Sequence, residues 1–273
     1  MAGHTMAPRF TIGRTLGDSI KIFGRNIVAF ALVALAIRLL FLLAPDKQMA
    51  AVMTGAAQIN WLSAIVSMVI VIVAASATKA TVVFPTMQNL RGHKAAVSDI
   101  WRSVPVLPAI IAAGAIINLP SVVSLVIRGL FPGNVAVIGT SGLVIGIVTL
   151  VLLLMWWLYA PVIAVEKGGV LHGLKRSSYL LSGQRWRVFA LLLVVRFATG
   201  ATVLGVALFG GLRLTDLSSL ASSMQSMSPI GIAIFIIGAL MSAFDGVLVT
   251  VSYYHLRVEK EGAIAEDLVQ VFD

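Results

Sequence analysis

Three ionisable side chains sit where such groups are expensive. Arg38, Arg196 and Asp245 each interrupt a long apolar run. A charge inside a membrane-spanning helix is costly unless it faces a bundle interior, a wet cavity or an opposite charge. At about 1.5 Å of rise per residue, the three lie roughly 18, 14 and 9 Å from the cytoplasmic ends of their runs. Two kinds of chemistry fit them. One is a polar pocket or a path for lipid headgroups, with Asp245 opposite Arg196 on the adjoining helix. The other is structural: an Arg196–Asp245 ion pair, with Arg38 snorkelling outward.

A second group is cationic. Within Pro161–Arg187, Lys167, Lys175, Arg176, Arg185 and Arg187 stand against one acid, Glu166. Read as a helix, Val170, Leu171, Leu174 and Leu181 share one face, while His172, Lys175 and Arg176 share another. That is the pattern of a helix lying in a membrane interface. The five cations suit phospholipid headgroups, and they also set the orientation of the chain. His93, His172 and His255 fall on the same side, but no carboxylate is spaced as in a zinc-protease motif. They read as three surface histidines, and no metal or cofactor is expected. Neither a G-x-S-x-G elbow, a Walker loop nor a dinucleotide fingerprint occurs, so a non-enzymatic role is expected.

The elements that must hold these residues follow from composition. The 273 residues are 59% hydrophobic and 11% charged, too apolar for a soluble domain. Several runs reach the roughly 18–20 residues that cross a bilayer. Six spans are expected, at about 26–44, 59–85, 104–127, 138–165, 188–212 and 229–251, ahead of a short tail, 252–273. The net charge of +9 does not point to nucleic acid, because the basic residues lie between apolar runs. Fifteen of the twenty Lys/Arg, Lys79 among them, fall on one side of this layout and three (Lys47, Arg128 and Arg213) on the other. By the positive-inside bias, both termini are then cytoplasmic. The absence of cysteine excludes disulfides and thiolate sites. The N-terminal residues lack the short apolar core and small-residue cleavage site of a signal peptide, so no cleaved leader is expected.

Local signals refine this picture. Thr11–Arg25 is amphipathic, with Ile12, Leu16, Ile20 and Phe23 on one side and Arg14, Asp18, Lys21 and Arg25 on the other. Thr86–Ser103 repeats the pattern through Val97, Ile100 and Val104. Pro120 should kink the third span or end its regular part. Trp156, Trp157 and Tyr159 suggest an interfacial aromatic belt, and Gly142-xxx-Gly146 a close helix contact. An amphipathic helix followed by two spans recurs over 11–85, 93–165 and 171–251, and VEKGG at 165–169 echoes VEKEG at 258–262. The expected fold is an all-α integral membrane protein of three helical-hairpin repeats.

APVIAVEKGGVLHGLKRSSYLLSGQRWRVF (160–189) and YYHLRVEKEG (253–262) resemble the membrane domain of bacterial glycerophosphoryl diester phosphodiesterases and its stand-alone six-helix relatives. The resemblance is carried by Pro161, Glu166, Leu174–Ser177, Gly183, Trp186, Tyr254, Leu256, Arg257 and Glu261-Gly262. It covers the last two repeats, and the first by layout. It implies a multi-pass protein of the bacterial inner membrane. In the fused relatives the phosphodiester chemistry belongs to a separate soluble barrel of roughly 250 residues, which is not expected here. The expected role is envelope maintenance through anionic membrane lipids or a protein partner. The alternative is a small transporter or lipid translocase lined by Arg38, Arg196 and Asp245.

Overall fold

Helix α1, Ile12–Arg25, follows Thr11, whose backbone is extended. It ends at Asn26, which leaves helical geometry and donates from Nδ2 to the Ile22 carbonyl at 2.9 Å. Helix α2, Ile27–Arg38, departs at 84° to α1. An amphipathic helix meeting an almost wholly apolar one at nearly a right angle fits one lying along an interface and the other entering the bilayer. The structure is a computed structural model in which residues 10–40, 61–93, 97–131, 133–210 and 228–262 are described. The end of the first expected span, the loops holding Lys47 and Arg213, and residues 263–273 lie outside them.

Helix α3, Trp61–Leu90, runs for 30 residues, about 45 Å. A five-residue helix α4, Val97–Trp101, and a 3₁₀ turn, Val104–Val106, lead into α5, Leu107–Ile117. The chain then breaks at Asn118, whose Nδ2 donates to the Gly114 carbonyl at 2.8 Å. Helix α6, Leu119–Leu130, restarts with Pro120 in its first turn, where the missing N–H costs nothing. Residues 104–127 are therefore not one helix, and α6 is too short to span.

Helix α7, Val135–Trp156, is capped by Asn134, whose Oδ1 accepts from Val137 N at 3.1 Å. After an interruption at Trp157–Leu158, helix α8, Tyr159–Glu166, continues the same span and buries every residue from Tyr159 to Val165. Lys167 (φ 51°) and Gly169 (φ 78°) reverse the chain into α9, Gly169–Leu181. Helix α10, Arg185–Phe209, and the 33-residue α11, Pro229–Glu261, complete the bundle. Among the described residues all regular structure is helical. Five helical stretches are long and apolar enough to cross a membrane, or six if the bent α1–α2 pair counts as one span.

Helix α11 is the hub, packing against α1, α2, α3, α8, α9 and α10. Its Leu248, Val249, Tyr253 and Leu256 join Phe84, Ile110, Trp157 and most of α8 in the main core. Trp157 and Tyr159 are 1% and 5% exposed, so they are core residues and not an interfacial belt. The reason is that α3, α5, α9 and α11 all pack against α8 and enclose this end of the span. On α9, Leu174 and Leu181 are buried as expected of an apolar face, but Leu171 is exposed. The buried face instead runs through Gly173, Leu174, Ser177, Leu180 and Leu181. VEKGG and VEKEG differ in conformation. Gly168-Gly169 lets the chain leave α8 after Glu166, whereas Glu261 carries α11 on to Gly262.

Ser177 holds the α7–α8 break in place. Its hydroxyl accepts from Leu158 N at 3.1 Å and reaches the Met155 carbonyl at 3.4 Å, tying two backbone groups to α9. Ser177→Ala would strand the buried Leu158 N–H, and the expected cost is about 1–3 kcal/mol. Unfolding in detergent should show that loss for Ser177→Ala and little change for the exposed Ser182→Ala.

Candidate functional site

A glycine sets up the first cluster. A Cβ at Gly246 would come within 2.3 Å of Val82 Cγ2 and 3.4 Å of Lys79 Cα. Only glycine lets α11 approach α3 so closely, and this approach brings Lys79 to Asp245. Lys79 Nζ lies 3.8 Å from Asp245 Oδ2, and Arg196 Nη2 lies 3.3 Å from Asp245 Oδ1. Asp245 is buried between them. The Lys79 ammonium also lies 5.4 Å from the centre of the Tyr159 ring. Two cations thus share one carboxylate, leaving a net positive charge in the apolar part of the bundle. Arg196 is on the outer side of α10, with its side chain 58% exposed.

Arg38 lies apart from this cluster. Its guanidinium is 5.3 Å from the Phe235 ring centre, in space that a Cβ at Gly238 would occupy. It borders a cavity of about 160 Å³ with Ala34, Ala74, Thr78, Ala239 and Ser242. Gly238 and Asp245 are seven residues apart on α11, or about 10 Å. Of the three intramembrane residues singled out from the sequence, the structure joins Arg196 and Asp245 and sets Arg38 about two turns away. The residue missed was Lys79. The expected span 59–85 holds it near its far end and the charge count adds it to the basic side, but α3 runs eleven residues past it to Leu90. The signal was its place inside an apolar stretch whose helical period continues beyond it.

The second cluster closes the basic end. Glu166 accepts from Arg176 Nε at 3.0 and 3.1 Å, lies 3.0 Å from His172 Nε2, and accepts from the Tyr253 hydroxyl at 3.1 Å. Arg176 also pairs with Glu261, which takes Arg257 Nε at 3.2 Å. Burial works against the Arg176 charge, but hydrogen bonds and attraction from Glu166 and Glu261 outweigh it, so its pKa lies above the ordinary value. Lys260 donates to the Tyr179 carbonyl and to Ser182 Oγ. Nearby, Glu259 accepts from Phe10 N at 2.8 Å and from Gln184 Nε2 at 3.0 Å.

The five cations of the interfacial stretch therefore divide. Arg176 is a strut. Arg187 reaches Gln184 Oε1 at 2.9 Å and the Phe10 carbonyl at 3.4 Å. Lys167, Lys175 and Arg185 are exposed and make no ion pair among the described residues. Arg185 is followed directly by Trp186, which is 82% exposed. The histidines are not three surface groups. His93 is exposed and His172 is bound to Glu166, but His255 is 7% exposed, with Nδ1 3.0 Å from Thr15 Oγ1 and Nε2 3.2 Å from Asp18 Oδ2. It is buried because α1 lies across α11, which the period of α11 alone does not reveal.

In comparisons with known proteins, no family model, curated protein or solved structure matches the chain. The functional reading therefore rests on geometry and charge. If Asp245 compensates Lys79, then Asp245→Ala should cost about 3 kcal/mol by leaving a buried charge without its partner. Adding Lys79→Met should recover part of that loss. An additive double-mutant cycle in detergent unfolding would show that the two do not interact.

Proposed function

We propose that the chain is a non-enzymatic, multi-pass protein of the bacterial inner membrane that gathers anionic lipid headgroups at its cytoplasmic, basic end in support of the envelope. The observation that carries this reading is the division of the collar. Arg176 and Arg257 are spent on Glu166 and Glu261, while Lys167, Lys175 and Arg185 stay exposed, Arg185 next to the exposed Trp186. Exposed cations next to an amphipathic aromatic ring suit the headgroup layer of an anionic leaflet, each contributing about 1 kcal/mol. Both termini in the cytoplasm, three hairpins from one repeated unit, and kinship with the phosphodiesterase membrane domain belong to the same proposal. The basic bias and the bent α1–α2 pair support it.

The test is lipid enrichment. The protein is reconstituted in vesicles of phosphatidylcholine with a minority of labelled phosphatidylglycerol, and energy transfer from Trp186 and the other tryptophans reports the local lipid. Lys167→Gln, Lys175→Gln and Arg185→Gln together should abolish phosphatidylglycerol enrichment, whereas wild-type enrichment should fade with salt. Enrichment that survives the triple change sinks the proposal.

A second reading, a small transporter or lipid translocase, is favoured by one feature: Arg196 is exposed on the flank of the bundle yet paired with Asp245. A headgroup moving past α10 would meet a guanidinium that is already held in place. On this reading, Asp245→Asn should stop movement of a labelled lipid between leaflets while the helical content stays intact. Equal flux in wild type and variant removes it.

A further inference from the structure

Away from the basic end, α6 and α7 pack together and leave a groove of about 420 Å³ along their seam. One side is α6, where Ser121, Ser124 and Arg128, at i, i+3 and i+7, line it. The other is α7, which contributes Gly142 and Gly146. The two glycines had suggested a close helix contact. In the structure a Cβ at either would meet no heavy atom within 4 Å, so they are the open floor of the groove. Trp61 packs against Gly129 at the rim beside Arg128.

We infer that this groove binds one phospholipid, with its phosphate on Arg128 at the rim and its glycerol esters near Ser124 and Ser121. Three observations converge on that occupant. Arg128 is in the last turn of α6, at the depth of a headgroup if α6 enters from that face, and a guanidinium offers five N–H donors in a fork that suits phosphate. Ser124 and Ser121 follow one and two turns deeper, roughly 6 and 10 Å away, where hydroxyls can donate to ester carbonyls. The remaining lining is apolar, Leu125 on α6 and Ile145 on α7. A soluble anion would have no use for that lining, whereas an acyl chain would lie along it. The glycine floor leaves room for a chain next to the α7 backbone.

The inference shares with the proposed function only the idea that lipid is the ligand, and it concerns the opposite end of the bundle. The full chain in detergent is titrated with dioleoyl-phosphatidylglycerol and weighed by native mass spectrometry. Wild type should hold a discrete lipid that Arg128→Gln weakens about tenfold, the loss of a charge-assisted hydrogen bond. Gly146→Leu should remove it by filling the groove. Because Gly146 faces open space, that variant tests the groove even if Arg128→Gln fails to fold. The collar variant Lys167→Gln/Lys175→Gln/Arg185→Gln should keep this lipid. Lipid lost only in the collar variant would overturn the groove and leave the proposed function standing. Displacement by millimolar inorganic phosphate would show a site for a free anion, and a dimer that Gly146→Leu dissociates would show a second copy as the occupant. Either result overturns the inference.

Discussion

Two carboxylates hold this bundle together because neither can be buried alone. Asp245 draws Lys79 from α3 and Arg196 from α10. Glu166, at the end of α8, draws Arg176 from α9 and the Tyr253 hydroxyl from α11. An isolated charge in an apolar interior costs far more than any one packing contact returns. Helices that supply the counter-charges are therefore constrained in rotation and depth as well as in proximity. α11 carries Asp245 and Tyr253 eight residues apart, about 12 Å along its axis, so one helix sets the relation between the two clusters.

The helix breaks matter as much as the helices. At Asn26, Asn118 and Trp157–Leu158 the regular helix is interrupted, and in each case a side chain takes up a backbone group near the break. In an apolar medium an unpaired carbonyl or amide is too costly to leave. The first break turns α1 across α11. Around the third, Trp157 and Tyr159 are core residues, and Tyr159 lies against Lys79.

Small residues decide where helices touch and where they do not. Gly246 permits the α3–α11 crossing and Gly173 admits the Ile163 side chain between α8 and α9. Gly142 and Gly146 have the spacing of a contact motif and face open space. Their difference lies in the neighbour, which no spacing within one helix reports.

The all-helical class, the long apolar spans, the basic bias and the role of Asp245 opposite Arg196 as a possible partner were legible from the sequence. They depend on periodicity, run length and the cost of charge in an apolar run, all local properties of one chain segment. Lys79 as the other partner of Asp245, His255 buried under α1, the burial of α8 and the open floor at Gly142 and Gly146 came only with the tertiary structure. Each depends on which face of one helix meets which face of another. Segments remote in sequence settle that jointly, by satisfying buried charge and filling space.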